Sequence, residues 1–288
     1  MSPTTERHRP LSHARRHFLG VVVSTSVKVA AITGLATAMS SFPARAMGRK
    51  WWRHSGEPSH NPGGNNQNCF LRGTSIKTPT GEVCIEDLRI GDNIETMNGK
   101  AATVRWIGRQ VYKRNSPSWA ASVMPIRISR HAFDQRTPHS DLYLSPNHAL
   151  YIDGVLIRAK DLVNGLSIAP SLPADRQIIE YFHIVLDTHE VVFAEGAPAE
   201  TFLLRDSNHE SFTNFAEYTR LYPAGLCPPM VPFAPIVGYE GGREHLMALL
   251  RLGIPRFMGL RDPVQHARDR FALRARETAG AGQLHDTA

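Results

Sequence analysis

The chain has 288 residues, 42% of them hydrophobic, and a formal charge of +7. That apolar content excludes wholesale disorder and allows a core of ordinary size without disulfide staples. Three cysteines, Cys69, Cys84 and Cys227, with no Cys-x-x-Cys pair, exclude a disulfide-built scaffold and leave a thiolate zinc ribbon or a thioredoxin-type redox site without its main support.

The charge is unevenly placed. Residues 1–46 carry Arg7, Arg9, Arg15, Arg16, Lys28 and Arg45 against Glu6, a net +5, which leaves +2 for the rest. Nucleic-acid binding therefore loses its electrostatic argument. Ala14-Arg15-Arg16-His17-Phe18-Leu19, a mildly apolar stretch from Gly20 to Phe42, and Ala44-Arg45-Ala46 resemble a twin-arginine signal peptide with a small-x-small cleavage site. Ala14 stands where Ser or Thr is usual, and Lys28 interrupts the apolar stretch. The 16 uncharged residues between Lys28 and Arg45 fall short of the roughly 20 that a membrane span needs. The expectation is an exported protein, periplasmic or secreted, with no stable membrane span. The alternative is a basic tail before a weak amphipathic segment.

Residues 47–68 are polar and rich in Gly, Asn and Pro apart from Trp51 and Trp52, and read as a flexible segment. From Cys69 onward short strands and turns are expected. Ser75–Thr78 precedes the turn Pro79-Thr80-Gly81. Asn93–Met97 and Ala102–Tyr112 flank Asn98-Gly99, and Tyr151-Ile152 and Val155–Arg158 flank Asp153-Gly154; both dipeptides are hairpin signals. Ile178–Leu186 and Glu190–Ala194 are further apolar runs, joined by Asp187-Thr188-His189. Asp141 starts a strand, and Ile85–Leu88 is a short helical candidate. Such spacing argues for a compact, mainly β domain over 69–205. In residues 206–288 the period lengthens. Phe212, Phe215 and Tyr218 suggest a short helix, and five prolines between Pro223 and Pro235 mark an extended connector. Leu246, Leu249, Leu250 and Gly253 sit on a second helix. Asp262-Pro263 caps a third, expected through Arg276, with Val264, Ala267, Phe271 and Ala275 on one face. The last dozen residues read as disordered.

Three blocks carry the chemistry. The first runs from Cys69-Phe70-Leu71-Arg72-Gly73-Thr74 through Gly91-Asp92. The second is Leu142-Tyr143-Leu144-Ser145-Pro146-Asn147-His148. The third is Tyr181-Phe182-His183 through His189-Glu190 to Glu195-Gly196. In order and spacing they resemble the Hint (Hedgehog/intein) family of self-processing domains, most closely bacterial domains that stand alone outside an intein. The resemblance covers about Cys69 to Phe202 and implies an all-β horseshoe with a helical C-terminal appendage. It implies that Cys69 attacks the carbonyl of Asn68, making Asn68–Cys69 the scissile bond and the protein's own N-terminal segment the substrate. His148 would protonate the departing nitrogen, and Ser145 would hold the scissile amide or orient the ring. His183 matches a position that assists the first step, and His189 matches a late-block histidine. Attack on a neighbouring carbonyl needs no diffusion, and a thiolate is the effective nucleophile.

Inteins end in His-Asn, whose Asn cyclises to release the second flank; Gly196–Phe202 holds no such pair. Full splicing then has no chemical route. What remains is an N-to-S acyl shift and resolution of the thioester by water, a thiol or an alcohol, without a cofactor. It is a single-turnover autoproteolysis rather than multiple-turnover catalysis. Two rivals stand beside it: an inactive Hint-fold binding or structural module of the cell envelope, and a metal site of His148, His183 and His189. Cys69, which opens the folded region after a polar run, is poorly placed for burial. Cys84 and Cys227 read as packing residues.

Overall fold

The computed structural model describes residues 68–173, 176–205, 207–224, 230–238 and 262–285. The export-signal motif, Trp51 and Trp52, Cys227 and the helix expected around Leu246–Gly253 lie outside them. The described residues form β1 (Phe70–Leu71), β2 (Ser75–Thr78), β3 (Gly81–Cys84), β4 (Asn93–Glu95), β5 (Ala101–Thr103), β6 (Trp106–Lys113), β7 (Ile126–Ile128), β8 (Leu142–Leu144), β9 (Ala149–Ile152), β10 (Val155–Arg158), β11 (Ile168–Pro170), β12 (Ile178–Val185), β13 (Val191–Ala194), β14 (Ala197–Glu200) and β15 (Ile236–Val237). A 3₁₀ turn spans Ala159–Leu162, and the helices are α1 (Phe215–Leu221) and α2 (Pro263–His285). The fold is mainly β, with a helix at the C-terminal end.

The strands make a six-stranded sheet in the order β11-β7-β8-β1-β12-β6, a seven-stranded sheet in the order β15-β10-β9-β14-β13-β2-β3, and the pair β4-β5. Alternating apolar side chains from both large sheets, among them Phe70, Ile76, Leu144, Leu150, Phe182 and Ile184, meet in one core. Each fully buried side chain of this size stabilises by roughly 1.5–3 kcal/mol. A second cluster of Trp106, Val185, Phe202, Leu203, Phe212 and Tyr218 lies beside it.

Asp153-Gly154 forms the expected tight hairpin, with φ of 50° and 89° and Ile152 paired with Val155, as a type I′ turn requires. Asn98-Gly99 closes a wider loop, because Thr96 N–H and Oγ1 both donate to Lys100 O at 2.9 Å. Met97 N–H donates instead to Val191 O at 2.7 Å, so pairing with another strand overrides the local signal. The single strand expected over Ala102–Tyr112 is two, β5 and β6. The chain changes sheets at Val104-Arg105, whose N–H groups reach Asp92 O and Val185 O at 2.8 Å each. Ile85–Leu88 is a turn rather than a helix: Ile85 N–H is taken by Thr74 O at 2.8 Å. The runs either side of Asp187-Thr188-His189 join different sheets.

In the C-terminal region, α1 begins at Phe215, with Phe212 buried ahead of it. α2 starts as expected, with Asp262 Oδ1 accepting Val264 N–H at 3.0 Å. Val264, Ala267 and Phe271 are buried, and Phe271 stacks on Phe133 with centroids 4.7 Å apart. The helix continues to His285, beyond the end expected at Arg276, because no proline interrupts propagation once the first turns are formed. Among the described residues, no helix is long and apolar enough to cross a membrane.

Candidate active site

Strand register assembles the site. β1 lies between β8 and β12, with Phe70 opposite Leu144 on one side and Phe182 on the other. Antiparallel pairing then sets the preceding residue, Cys69, opposite Ser145 and His183. Cys69 N–H donates to Ser145 Oγ at 2.8 Å, and Ser145 N–H donates to Cys69 O at 2.9 Å. Cys69 Sγ lies 2.6 Å from His183 Nε2. Three residues separated by 76 and 38 positions thus meet on one peptide group and its side chain.

Cys69 is 1% exposed, which corrects the expectation that an N-terminal position of the domain would be poorly buried: pairing of β1 on both sides encloses it. Burial pushes its thiol well above the ordinary value, opposed by the hydrogen bond with Ser145. His183 is fully buried, between the rings of Phe202 and Phe212 at 5.0 and 4.6 Å. Desolvation, and then the proximity of His148, holds its pKa well below that of free imidazole. A protonated thiol lies beside a neutral ring, and the ring's tautomer decides which of the two donates.

His148 precedes β9 and packs edge-on against Phe70, centroids 4.4 Å apart. Its Nε2–H donates to Glu200 O at 3.0 Å. Burial lowers its pKa to about 4, opposed by the Glu200 carboxylate and by the main chains of Cys69 and Glu200. Nδ1 has no hydrogen-bond partner among the described residues. Since Nε2 carries the proton, Nδ1 is the bare nitrogen of the neutral ring.

His189 stands apart from Cys69. Its Nδ1 accepts Phe233 N–H at 2.9 Å, and its Nε2 is 3.2 Å from Glu200 Oε2. Cys84 is half-buried and free. Asp141 immediately precedes β8 and accepts Arg130 N–H at 2.8 Å. His148 and His189 both contact Glu200 while His183 faces Cys69, and among the described residues no group of three or more His, Cys, Asp or Glu is placed to hold a metal ion.

Sequence reasoning missed Glu200. It is 1% exposed, and its Oε1 accepts Ala149 N–H at 2.8 Å. The available signal was a lone carboxylate within the small and apolar run Ala197–Leu204, a costly arrangement unless the charge has partners. A cleft of about 150 Å³ is lined by Asn68, Asn147, Arg158, Glu200, Leu203 and Arg205 among others.

Residues 68–206 match the family described as Hint domain. No curated protein matches the chain. Among solved structures, a bacterial intein-like domain from Clostridium thermocellum is 15% identical with a TM-score of 0.35, covering 47% of this chain and 99% of that one. A DnaB intein from Synechocystis sp. is 13% identical with a TM-score of 0.32, covering 47% and 99%. The family match over residues 68–206, on a mainly β fold with the first-block Cys69 and the second-block Ser145 and His148 side by side, supports a Hint domain in this part of the chain.

Proposed function

We propose that this domain cleaves its own Asn68–Cys69 bond by an N-to-S acyl shift followed by resolution of the thioester, without splicing. One observation carries the reading. The thiol of Cys69 is 2.6 Å from a base, His183, while its amide N–H is held at 2.8 Å by Ser145 Oγ, so the nucleophile and the leaving nitrogen are engaged separately.

The Sγ–H proton passes to His183 Nε2, and sulfur attacks the carbonyl carbon of Asn68. The C–S bond forms, and the C–N bond breaks as Cys69 nitrogen takes a proton from Nδ1 of the His148 imidazolium. Overall, one proton moves from sulfur to nitrogen. Water, a thiol or an alcohol then attacks the thioester from the side of the Asn68 cleft, the C–S bond breaks, and sulfur regains a proton. The residues supply proximity and acid–base catalysis, and no step draws on a cofactor. The twin-arginine-like leader supports a folded chain that crosses the membrane and works outside the cytoplasm.

Intact mass followed over time tests this. Two pieces are expected, one beginning at Cys69 and one ending at Asn68, formed faster with an added thiol or hydroxylamine. Cys69→Ala abolishes cleavage, and His148→Ala slows it by roughly 10²–10⁴-fold, the usual worth of a general acid. Cutting of the Cys69→Ala protein at the same bond and rate would sink the proposal. A parent that no nucleophile cuts is instead the inactive binding module.

A further inference from the structure

We infer that Glu200 and His189 are positioning residues for His148, and that the main-chain N–H of Phe233, in the connector of the C-terminal region, completes this part of the site. The inference rests on the self-processing reading, in which His148 delivers a proton.

The contacts form one continuous chain. Phe233 N–H donates to His189 Nδ1 at 2.9 Å, which places the ring proton on Nε2. That nitrogen lies 3.2 Å from Glu200 Oε2, with the His189 and Glu200 side chains 0% and 1% exposed. Neither atom has a hydrogen-bond partner among the described residues, so each is the other's nearest compensation for burial. The second carboxylate oxygen of Glu200 accepts Ala149 N–H at 2.8 Å, and its carbonyl accepts His148 Nε2–H at 3.0 Å. Glu200 therefore grips both the ring of His148 and the main chain just after it. With Nε2 occupied, Nδ1 is the atom left to serve the Cys69 nitrogen. A partner on one ring nitrogen is how proteins fix the tautomer of the other.

Phe233 reaches this position because its segment is docked. Its ring meets Tyr151 edge-on at 5.5 Å, and the following β15 pairs in parallel with β10 through Leu156 and Ile236. Gly238 passes so close to Asp161 that an added Cβ would clash with the carboxylate. The C-terminal region is thus a working part of the site. The charged and titratable groups facing His148 are Glu200, His189 and His183.

Full-length protein with ¹⁵N-labelled histidine separates this from mere packing. Phe233→Pro removes the N–H, whereas Phe233→Ala removes the ring and keeps it. Phe233→Ala is expected to retain the Nε2–H signature of His189, and Phe233→Pro to lose it and to cleave slower than Phe233→Ala by on the order of tenfold or more, as loss of a tautomer-fixing contact does. Glu200→Gln keeps an acceptor for Ala149 but drops the charge that raises the His148 pKa, and is expected to move the alkaline limb of the rate profile to lower pH. Equal rates and identical histidine signals in the two Phe233 variants would overturn the inference. If Phe233→Pro does not fold, an unmoved pH profile in Glu200→Gln overturns it instead. An uncut parent defeats the self-processing reading, while the histidine signals still report whether the contact chain exists.

Discussion

His148 and His183 are imidazoles kept neutral by burial, and acid must charge them at a cost in solvation. Free imidazole titrates near 6.5 and His148 near about 4 in the fold. Between those values the unfolded chain binds more protons than the folded one, so stability is complete above about pH 6.5 and is lost as pH falls toward 4. For His148 alone the loss is about 3 kcal/mol, and His183 adds to it in the same direction. Chemical denaturation at a series of pH values should show the unfolding midpoint dropping across this window, with a shallower slope in His148→Gln. A midpoint independent of pH would mean that these rings are not buried neutral. The same shift leaves roughly one His148 in a thousand protonated at pH 7, so acid promotes the proposed proton delivery while weakening the fold.

Gly108 shows how an element sets the geometry of a residue it does not touch in sequence. It pairs with His183 across β6 and β12, and a Cβ there would lie 3.0 Å from both Phe212 Cε1 and Trp106 Cζ3. Gly108→Ala must push the Phe212 ring that backs His183. A destabilisation of about 1–3 kcal/mol is expected, with slower cleavage under conditions where the protein remains folded; parental stability and rate together would show that the ring yields freely. Nothing in the local sequence marks Gly108 as special, since half of its requirement comes from Phe212, 104 positions away, and the rest from how the fold turns the Trp106 ring. By contrast, Asp153-Gly154, the cap at Asp262-Pro263 and the apolar face of α2 were legible because each is decided by neighbours in the chain. Glu195-Gly196 was not: Glu195 holds φ of 48° because Ser75 N–H donates to its Oε1 at 2.7 Å, a tertiary contact. At the site, the Cys69, Ser145 and His148 blocks stood out by spacing. The Glu200 carbonyl and the Phe233 N–H did not, because main-chain groups leave no signature in residue type.

At the scale of the whole chain, charge is concentrated in residues 1–46, and export remains a proposal with a direct test. Replacing Arg15 and Arg16 together by lysine preserves the charge but not the guanidinium pair. A longer precursor retained inside the cell is expected, and normal export of the doubly substituted chain would refute the signal. The two hydrogen bonds between Ser145 and Cys69 carry a final consequence. Both grip atoms on the amine side of the Asn68–Cys69 bond, so cutting that bond removes neither. The new terminus keeps its strand partners instead of fraying, and the domain after the event is as well packed as before. Folding energy is then not what gives the event its direction. In the proposed reaction the direction comes from attack on the thioester, and it is sealed when the freed peptide leaves a neighbour with an effective concentration of many molar for bulk solvent, where re-encounter is bimolecular and rare. On the proposed reading the molecule is a one-way timer, set by its fold.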